Sequence, residues 1–394
     1  MEFLSFFIIL LAAVFFSEVF NRLHVPWVVT LILAGVVIGP FGFGWLEIDD
    51  TVYFLGQIGL VFLMFMAGLE IRISEFWQSS KDLITVTVLN AGIPFLAGMA
   101  VALIFGMDIL GAFLLGIVFI SSSVGVIIPS LQARNILSTK PGKLLTPMIV
   151  FEDVFSLLLL AIFLQVVLPG EGVLNLPIWL FLLLFVTSFV LLRLLVPKMK
   201  WLFTVKDDIE SEDIMDTELS HDFRVVLTAL MGTVVIFALL GLHPIVGGFF
   251  AGLILSDAVA NRRLKRRFRV VGYGIFIPVF FVIVGVQTDV EVLLRLGPVL
   301  TLTLSVVVAS IASKFLSGFL GGRLVGMTDR ESALIGAASI PQLSVTLAIA
   351  FTGVELGVIS EDLATALVIL TIISTLTAPI LIHWIGRKLD IRVV

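Results

Sequence analysis

The stretch TPMIVFEDVFSLLLLAIF, residues 146–163, sets Glu152 and Asp153 side by side in an otherwise apolar run. A run of this length can cross a bilayer as a helix. A charge at the centre of such a helix costs about 2.5–3.5 kcal/mol on insertion scales, so two adjacent acids need a reason. The rest of the chain fixes the setting. Of its 394 residues, 59% are hydrophobic and 13% charged, with a mean hydropathy of +1.19. Soluble domains are about half apolar and a quarter charged, so the chain reads as an all-α polytopic membrane protein. It has no cysteine, which excludes a disulfide framework, a thiolate metal site and a cysteine nucleophile. The net charge of -5 carries no nucleic-acid signal, because its distribution follows the loops. The opening MEFLSFFIILLAAVFF lacks a basic n-region and a small-residue cleavage site and reads as a first helix, not a signal peptide.

Apolar runs bounded by turn or charge clusters predict thirteen spans: 3–20, 26–43, 52–69, 83–106, 109–132, 144–168, 176–196, 222–241, 244–257, 270–287, 297–320, 332–354 and 363–385. The ninth is short, and the count falls to twelve if it is re-entrant. The positive-inside rule tests the count. With thirteen spans, all but two of the 24 basic residues lie in loops on one side, from Arg22 through the run NRRLKRRFR (261–269) to Arg392. The exceptions are Arg295 in an opposite loop and Lys314 inside a span. This places the N-terminus outside and the C-terminus in the cytoplasm. The whole of 1–394 reads as a single transmembrane domain, with a linker helix at 176–196, an acidic cytoplasmic segment at 203–221 and no soluble regulatory domain.

Two segments recur at one offset. Ala34-Gly35 stands 217 residues before Ala251-Gly252, and Gly68 stands 217 residues before Gly285. Seven crossings apart means opposite directions through the bilayer, so 1–170 and 222–394 read as inverted six-helix repeats, an architecture of secondary transporters. Their sites sit at broken helices in corresponding positions. GIVFISSSVGVIIPSL in the fifth span carries Ser121, Ser122, Ser123, Gly125 and Pro129; GAASIPQLSVTLAIA in the twelfth carries Ser339, Pro341, Gln342 and Ser344. Proline removes a helical donor and frees a carbonyl, and unwound backbone at membrane depth is tolerated only where buried or lining a cavity. Proline-kinked packing helices would carry the same residues; placement in both halves favours discontinuous crossing helices and a cation site.

Three charges lie inside spans: Glu152, Asp153 and Lys314. Glu152 is nine residues from Lys143 and Lys314 nine from Arg323, so each sits about 13 Å from its cytoplasmic anchor. An acid and a base at matching depth are natural partners. A packing ion pair accounts for one carboxylate and leaves the second over. Neighbouring helical residues point about 100° apart, so one acid can face Lys314 while the other faces the broken helices. A carboxylate among hydroxyls and freed carbonyls is a hard-oxygen site for a small cation, where a proton competes for the same oxygens. If the carboxylate crosses only when occupied, that competition yields antiport.

Other features carry less. His24, His221, His243 and His383 lie near span ends at no metal-ligand spacing. STKPGKLLT (138–146) lacks the first glycine of a phosphate loop and a Ser or Thr after Lys143. The basic run at 262–269 reads as a topology and lipid-headgroup anchor. Glu70, Arg72 and Asp289 read as interfacial, and Glu18 is left unassigned. With no nucleophile–base set and no metal cluster, neither enzyme activity nor a cofactor is expected.

On the Glu152–Asp153 pair, the two serine- and proline-broken spans and Lys314, the chain resembles the cation/proton antiporter superfamily over essentially its whole length, specifically its second family of Kef-type and NapA-like exchangers. The resemblance implies a sodium/proton antiporter of the cell membrane, prokaryotic in type, in which Asp153 is the alternating ligand of sodium and proton. Glu152, the second cation- and proton-binding acid, would form a charge pair with Lys314 that releases a second proton, and Ser121, Ser122, Ser123, Ser339 and Gln342 would be the crossing-helix site. It also implies a homodimer in which a six-helix core moves as an elevator. At the first acid, family members carry Asp, Asn or Gln; the Glu152 of this chain departs from all three and leaves ion choice (sodium, lithium or potassium) and stoichiometry open. A Kef-type potassium/proton antiporter and a sodium-coupled organic-anion symporter are the alternatives, followed by a channel.

Overall fold

The computed structural model describes residues 2–21, 25–46, 48–70, 81–132, 136–137, 139–167, parts of 180–194, 212–239, 243–256, 259, 262–289 and 297–386. The regular structure among them is helical. The helices are α1 (Glu2–Asn21), α2 (Trp27–Ile38), α3 (Asp50–Glu70), α4 (Lys81–Ile104), α5 (Ile109–Ile120), α6 (Val124–Gln132), α7 (Lys140–Val167), α8 (Glu212–Leu239), α9 (Pro244–Leu255), α10 (Arg262–Val271), α11 (Ile277–Val286), α12 (Pro298–Leu324), α13 (Asp329–Ser339), α14 (Ser344–Glu355) and α15 (Glu361–Gly386). Among the described residues ten stretches are long and apolar enough to cross a membrane, counting α5 with α6, α10 with α11 and α13 with α14 as one each, and α2 and α9 are shorter apolar helices. The expected seventh span, 176–196, lies largely outside the described residues, as does 203–211.

Several spans differ from their expected bounds for local reasons. The second stops at Ile38, where the chain turns back through Gly39, Gly42 and Gly44 and the Phe43 amide donates to Val37 at 2.8 Å. The eighth is already helical from Glu212, so the second half of the acidic segment is its first turns. The tenth is extended towards its N-terminus: α10 runs through a π-helical turn, Gly272–Phe276, into α11. The fifth and twelfth are each two helices.

The chain divides into two compact units, one of residues 1–48, 75–160 and 281–394, the other of 49–74 and 161–280. Within the first, Gly35 of α2 meets Gly285 of α11: a Cβ at Gly35 would lie 2.0 Å from the Val282 carbonyl oxygen, and one at Gly285 2.0 Å from that of Ile32. Within the second, Gly68 of α3 meets Gly252 of α9 in the same way, each Cβ falling 2.2 Å from a carbonyl of the other helix. The glycines found by their shared offset are therefore backbone contacts where no side chain fits.

The first unit repeats a second device. α4 is followed by Gly106 at φ +74° and α12 by Gly326 at φ +74°. The amides of Gly106 and Met107 return to Leu103 and Ala102 at 3.1 and 3.0 Å; those of Gly326 and Met327 return to Arg323 and Gly322 at 3.1 and 3.0 Å. Each turn then enters a side-chain cap, Asp108 on the Gly111 amide in one and a Thr328–Glu331 capping box in the other. Gly98 packs on Gly116 between α4 and α5, and Gly318 on Gly336 between α12 and α13. All these partners stand 220 residues apart. The register thus slips by three residues relative to the Gly35 and Gly68 pairs.

Candidate functional site

α5 and α13 both stop short, at Ser121 and Ile340, and the chain resumes as α6 and α14 after three or four residues of open backbone. The two breaks lie against each other and satisfy each other's freed groups. Ser122 Oγ lies 3.0 Å from the Ser339 carbonyl oxygen, and Gln342 Nε2 donates to that of Phe119 at 3.2 Å. The Ser123 amide donates to the Pro341 carbonyl at 2.7 Å, the Gln342 amide to Ser374 Oγ at 3.2 Å, and Ser121 Oγ pairs with Thr346 Oγ1 at 3.2 Å. Ser339 turns its own hydroxyl back to Ile335. The five crossing-helix candidates are all buried.

Lys314 of α12 closes the first break. Its ammonium, fully buried, donates to the Ile120 carbonyl freed at the end of α5, to Ser122 Oγ at 3.0 Å and to Glu152 Oε2 at 3.0 Å. The pairing expected from equal depth is present. Glu152, also fully buried, receives Asn90 Nδ2 on its other oxygen at 2.5 Å and lies 2.8 Å from Ser122 Oγ. Ser317, one turn on from Lys314, donates to Asn90 Oδ1 at 2.6 Å and so fixes which way the amide faces. Both Glu152 oxygens are engaged by donors, the arrangement of an ionised carboxylate. Asp153 is the next residue on α7, 6% exposed and within electrostatic reach of Lys314. Asn90, Ser317, Thr346 and Ser374 did not stand out in the sequence. Asn90 is the sole amide of its span but carries no charge to mark it.

Of the histidines, His24 lies outside the described residues. His243 caps α9 from outside the apolar stretch, its Nδ1 accepting from the Ile245 amide at 3.4 Å, and burial pushes its imidazole down to about 4. It is neutral near pH 7. Among the described residues no three His, Cys, Asp or Glu side chains converge on one point, so a cation here would take hydroxyl and carbonyl oxygens besides a carboxylate.

Residues 6–388 match the model of a family described as sodium/hydrogen exchanger, transmembrane. Among curated proteins, the chain is 29% identical over 387 residues to the probable Na+/H+ antiporter 3 of Methanocaldococcus jannaschii, covering 96% of this chain and 95% of that one. It is 30% identical over 394 residues to the Na+/H+-K+ antiporter GerN of Bacillus cereus, covering 98% of each. Among solved structures, the sodium proton antiporter MjNhaP1 of M. jannaschii shares the fold at a TM-score of 0.68 and 17% identity, over 99% of both chains. These matches reach the exchanger family as a whole and do not single out its second, Kef-type branch.

Proposed function

The chain belongs to the sodium/hydrogen exchanger family, and from that membership we propose that it exchanges sodium for protons across the cell membrane, with Asp153 as the ligand the two ions share. The observation that carries this reading is the division of labour in the acid pair. Glu152 is held by Lys314, Asn90 and Ser122 on one side of α7. Asp153, about 100° further round the helix, is the acid we assign to the transported ions. A proton and a sodium ion both bind carboxylate oxygen, so each displaces the other. A carboxylate that crosses only when loaded couples their movements.

The same reading takes the chain as thirteen spans with the N-terminus outside, built as two inverted repeats, working as an elevator within a homodimer. The paired glycines and the turns at Gly106 and Gly326 support the repeat. The Glu152–Asp153 pair and Lys314 support the narrower kinship to the second antiporter family. Potassium is a second substrate to test, favoured by the B. cereus relative, whose description includes it.

Reconstituted into proteoliposomes, the protein is expected to drive sodium uptake from an imposed pH gradient, and Asp153→Asn to reduce it to the protein-free level. Undiminished sodium flux in that variant would sink the assignment. Repeating the assay with lithium and potassium, with and without a clamped membrane potential, fixes ion choice and stoichiometry.

A further inference from the structure

The basic helix α10 presents two different faces. Leu264, Phe268 and Gly272 are buried one turn apart; Phe268 stacks on Phe223 at 4.4 Å and meets Phe65 edge-on at 5.4 Å. Two of its cations turn towards the protein: Lys265 donates to the Leu69 carbonyl at 3.1 Å and Arg267 to Ser220 Oγ at 2.9 Å. Arg266 and Arg269 face outward. With Lys265, Val270, Tyr273 and Gly274 they line a groove of about 740 Å³. Positions 266, 269 and 273 fall on one helical face. The π turn beginning at Gly272 widens the helix at this point, as such turns do at many functional sites.

The groove is polar at one end only. Arg266 and Arg269 occupy its first turn, and the exposed side chain of Val270 (64%) lies between them and Tyr273. Cations at one end with an apolar side chain and an amphipathic ring beyond them suit an anionic phospholipid lying with its phosphate at the membrane surface and its chains inward. Soluble anions have no use for the second half. We propose that Arg266, Arg269 and Tyr273 form a headgroup site for an anionic phospholipid, with Val270 beside its acyl chain. The inference rests on the reading of the chain as a membrane-spanning exchanger, and is independent of which ion it carries.

The test uses the full chain in phosphatidylcholine vesicles containing spin-labelled phosphatidylglycerol, and reads the immobilised lipid fraction. The wild type is expected to show a saturable immobilised component. Arg266→Gln with Arg269→Gln should weaken it about 30-fold, the equivalent of two surface cations at about 1 kcal/mol each. Gly274→Leu tests the groove without touching charge: a Cβ there meets nothing within 4 Å, so the helix tolerates the side chain and the lipid should be displaced. The control pair Lys143→Gln and Arg330→Gln, exposed in the first turns of α7 and α13, should leave the component unchanged. An equal loss in the control pair, no loss in either groove variant, or displacement by inorganic phosphate as readily as by phosphatidylglycerol would each overturn the site. Sodium/proton exchange assayed on the same vesicles separates the two proposals. Saturable lipid binding without exchange in the wild type strikes at the function alone, and exchange without such binding strikes at the lipid site alone.

Discussion

At the first break in the membrane helices Ser122 lies against the carbonyl of Ser339; at the second, 220 residues on, Gln342 donates to the carbonyl of Phe119. The positions correspond: 122 to 342, and 119 to 339. The approach to each break is also duplicated, down to the glycine contacts and the turn that precedes it. The chemistry is not. At the position of Lys314 the first half carries Pro94, and the offset from Glu152 and Asp153 falls on Ile372 and Ile373. Gln342 keeps a buried Oε1 with no hydrogen-bond partner among the described residues, whereas every polar atom of Glu152 and Lys314 is engaged. The same backbone device thus occurs at both breaks, and charge is placed at one of them only. A buried acid at the second break would add a desolvation cost with no cation there to offset it.

The largest test of that difference is Lys314→Ala. It leaves Glu152 buried without its cation and takes a donor from the Ile120 carbonyl, and removal of one member of a buried pair costs about 3–5 kcal/mol. Adding Glu152→Gln should recover most of the loss, because the stranded charge is then gone. Unfolding in detergent measures both. A single-variant loss below about 1 kcal/mol would mean that charge does not hold the first break together.

A smaller effect compares Asn90 with Ser310, its counterpart 220 residues on. Asn90→Leu removes the donor on Glu152 Oε1 and the acceptor of Ser317. Hydrogen bonds to charged groups are worth about 1.5–3 kcal/mol. Ser310→Ala removes a buried hydroxyl that makes no hydrogen bond among the described residues, and should change stability by no more than about 0.5 kcal/mol in either direction. Equal losses at the two positions would erase the asymmetry.

The sequence made the charged half of this site readable. Glu152, Asp153 and Lys314 stand out because an ionisable residue in an apolar span is costly, and counting from the cytoplasmic anchors put Glu152 and Lys314 at one depth, where they meet at 3.0 Å. Ser121–Ser123 and Pro341 announced the breaks through their residue types. Asn90 escaped because an amide carries little of that cost, and its meaning depends on the rotation of α4 about its axis, which hydropathy does not encode. In the sequence, recurrence at a fixed offset stood out only at Gly35 and Gly68. The closer copies, Gly98 with Gly318 and Gly116 with Gly336, are out of register with these by three residues, and glycine pairs are too common in membrane helices for an unaligned match to be noticed. Helix ends failed for a similar reason: the early stop of α2 and the helical start at Glu212 depend on backbone hydrogen bonds, which an apolar count does not see.

The smallest test asks whether the shared backbone is energetically shared. Gly106 and Gly326 both hold φ at +74° and a Cβ at either would meet nothing within 4 Å. The cost of Gly106→Ala and of Gly326→Ala is therefore conformational alone, about 1–2 kcal/mol for an L-residue in the left-handed region. If the two turns are one device used twice, the losses measured by unfolding should agree, although one turn leads to the charged break and the other to the neutral one. A difference above about 1 kcal/mol would show that the charge on the first half reaches back into its scaffold, and that the halves differ in more than the side chains placed on them.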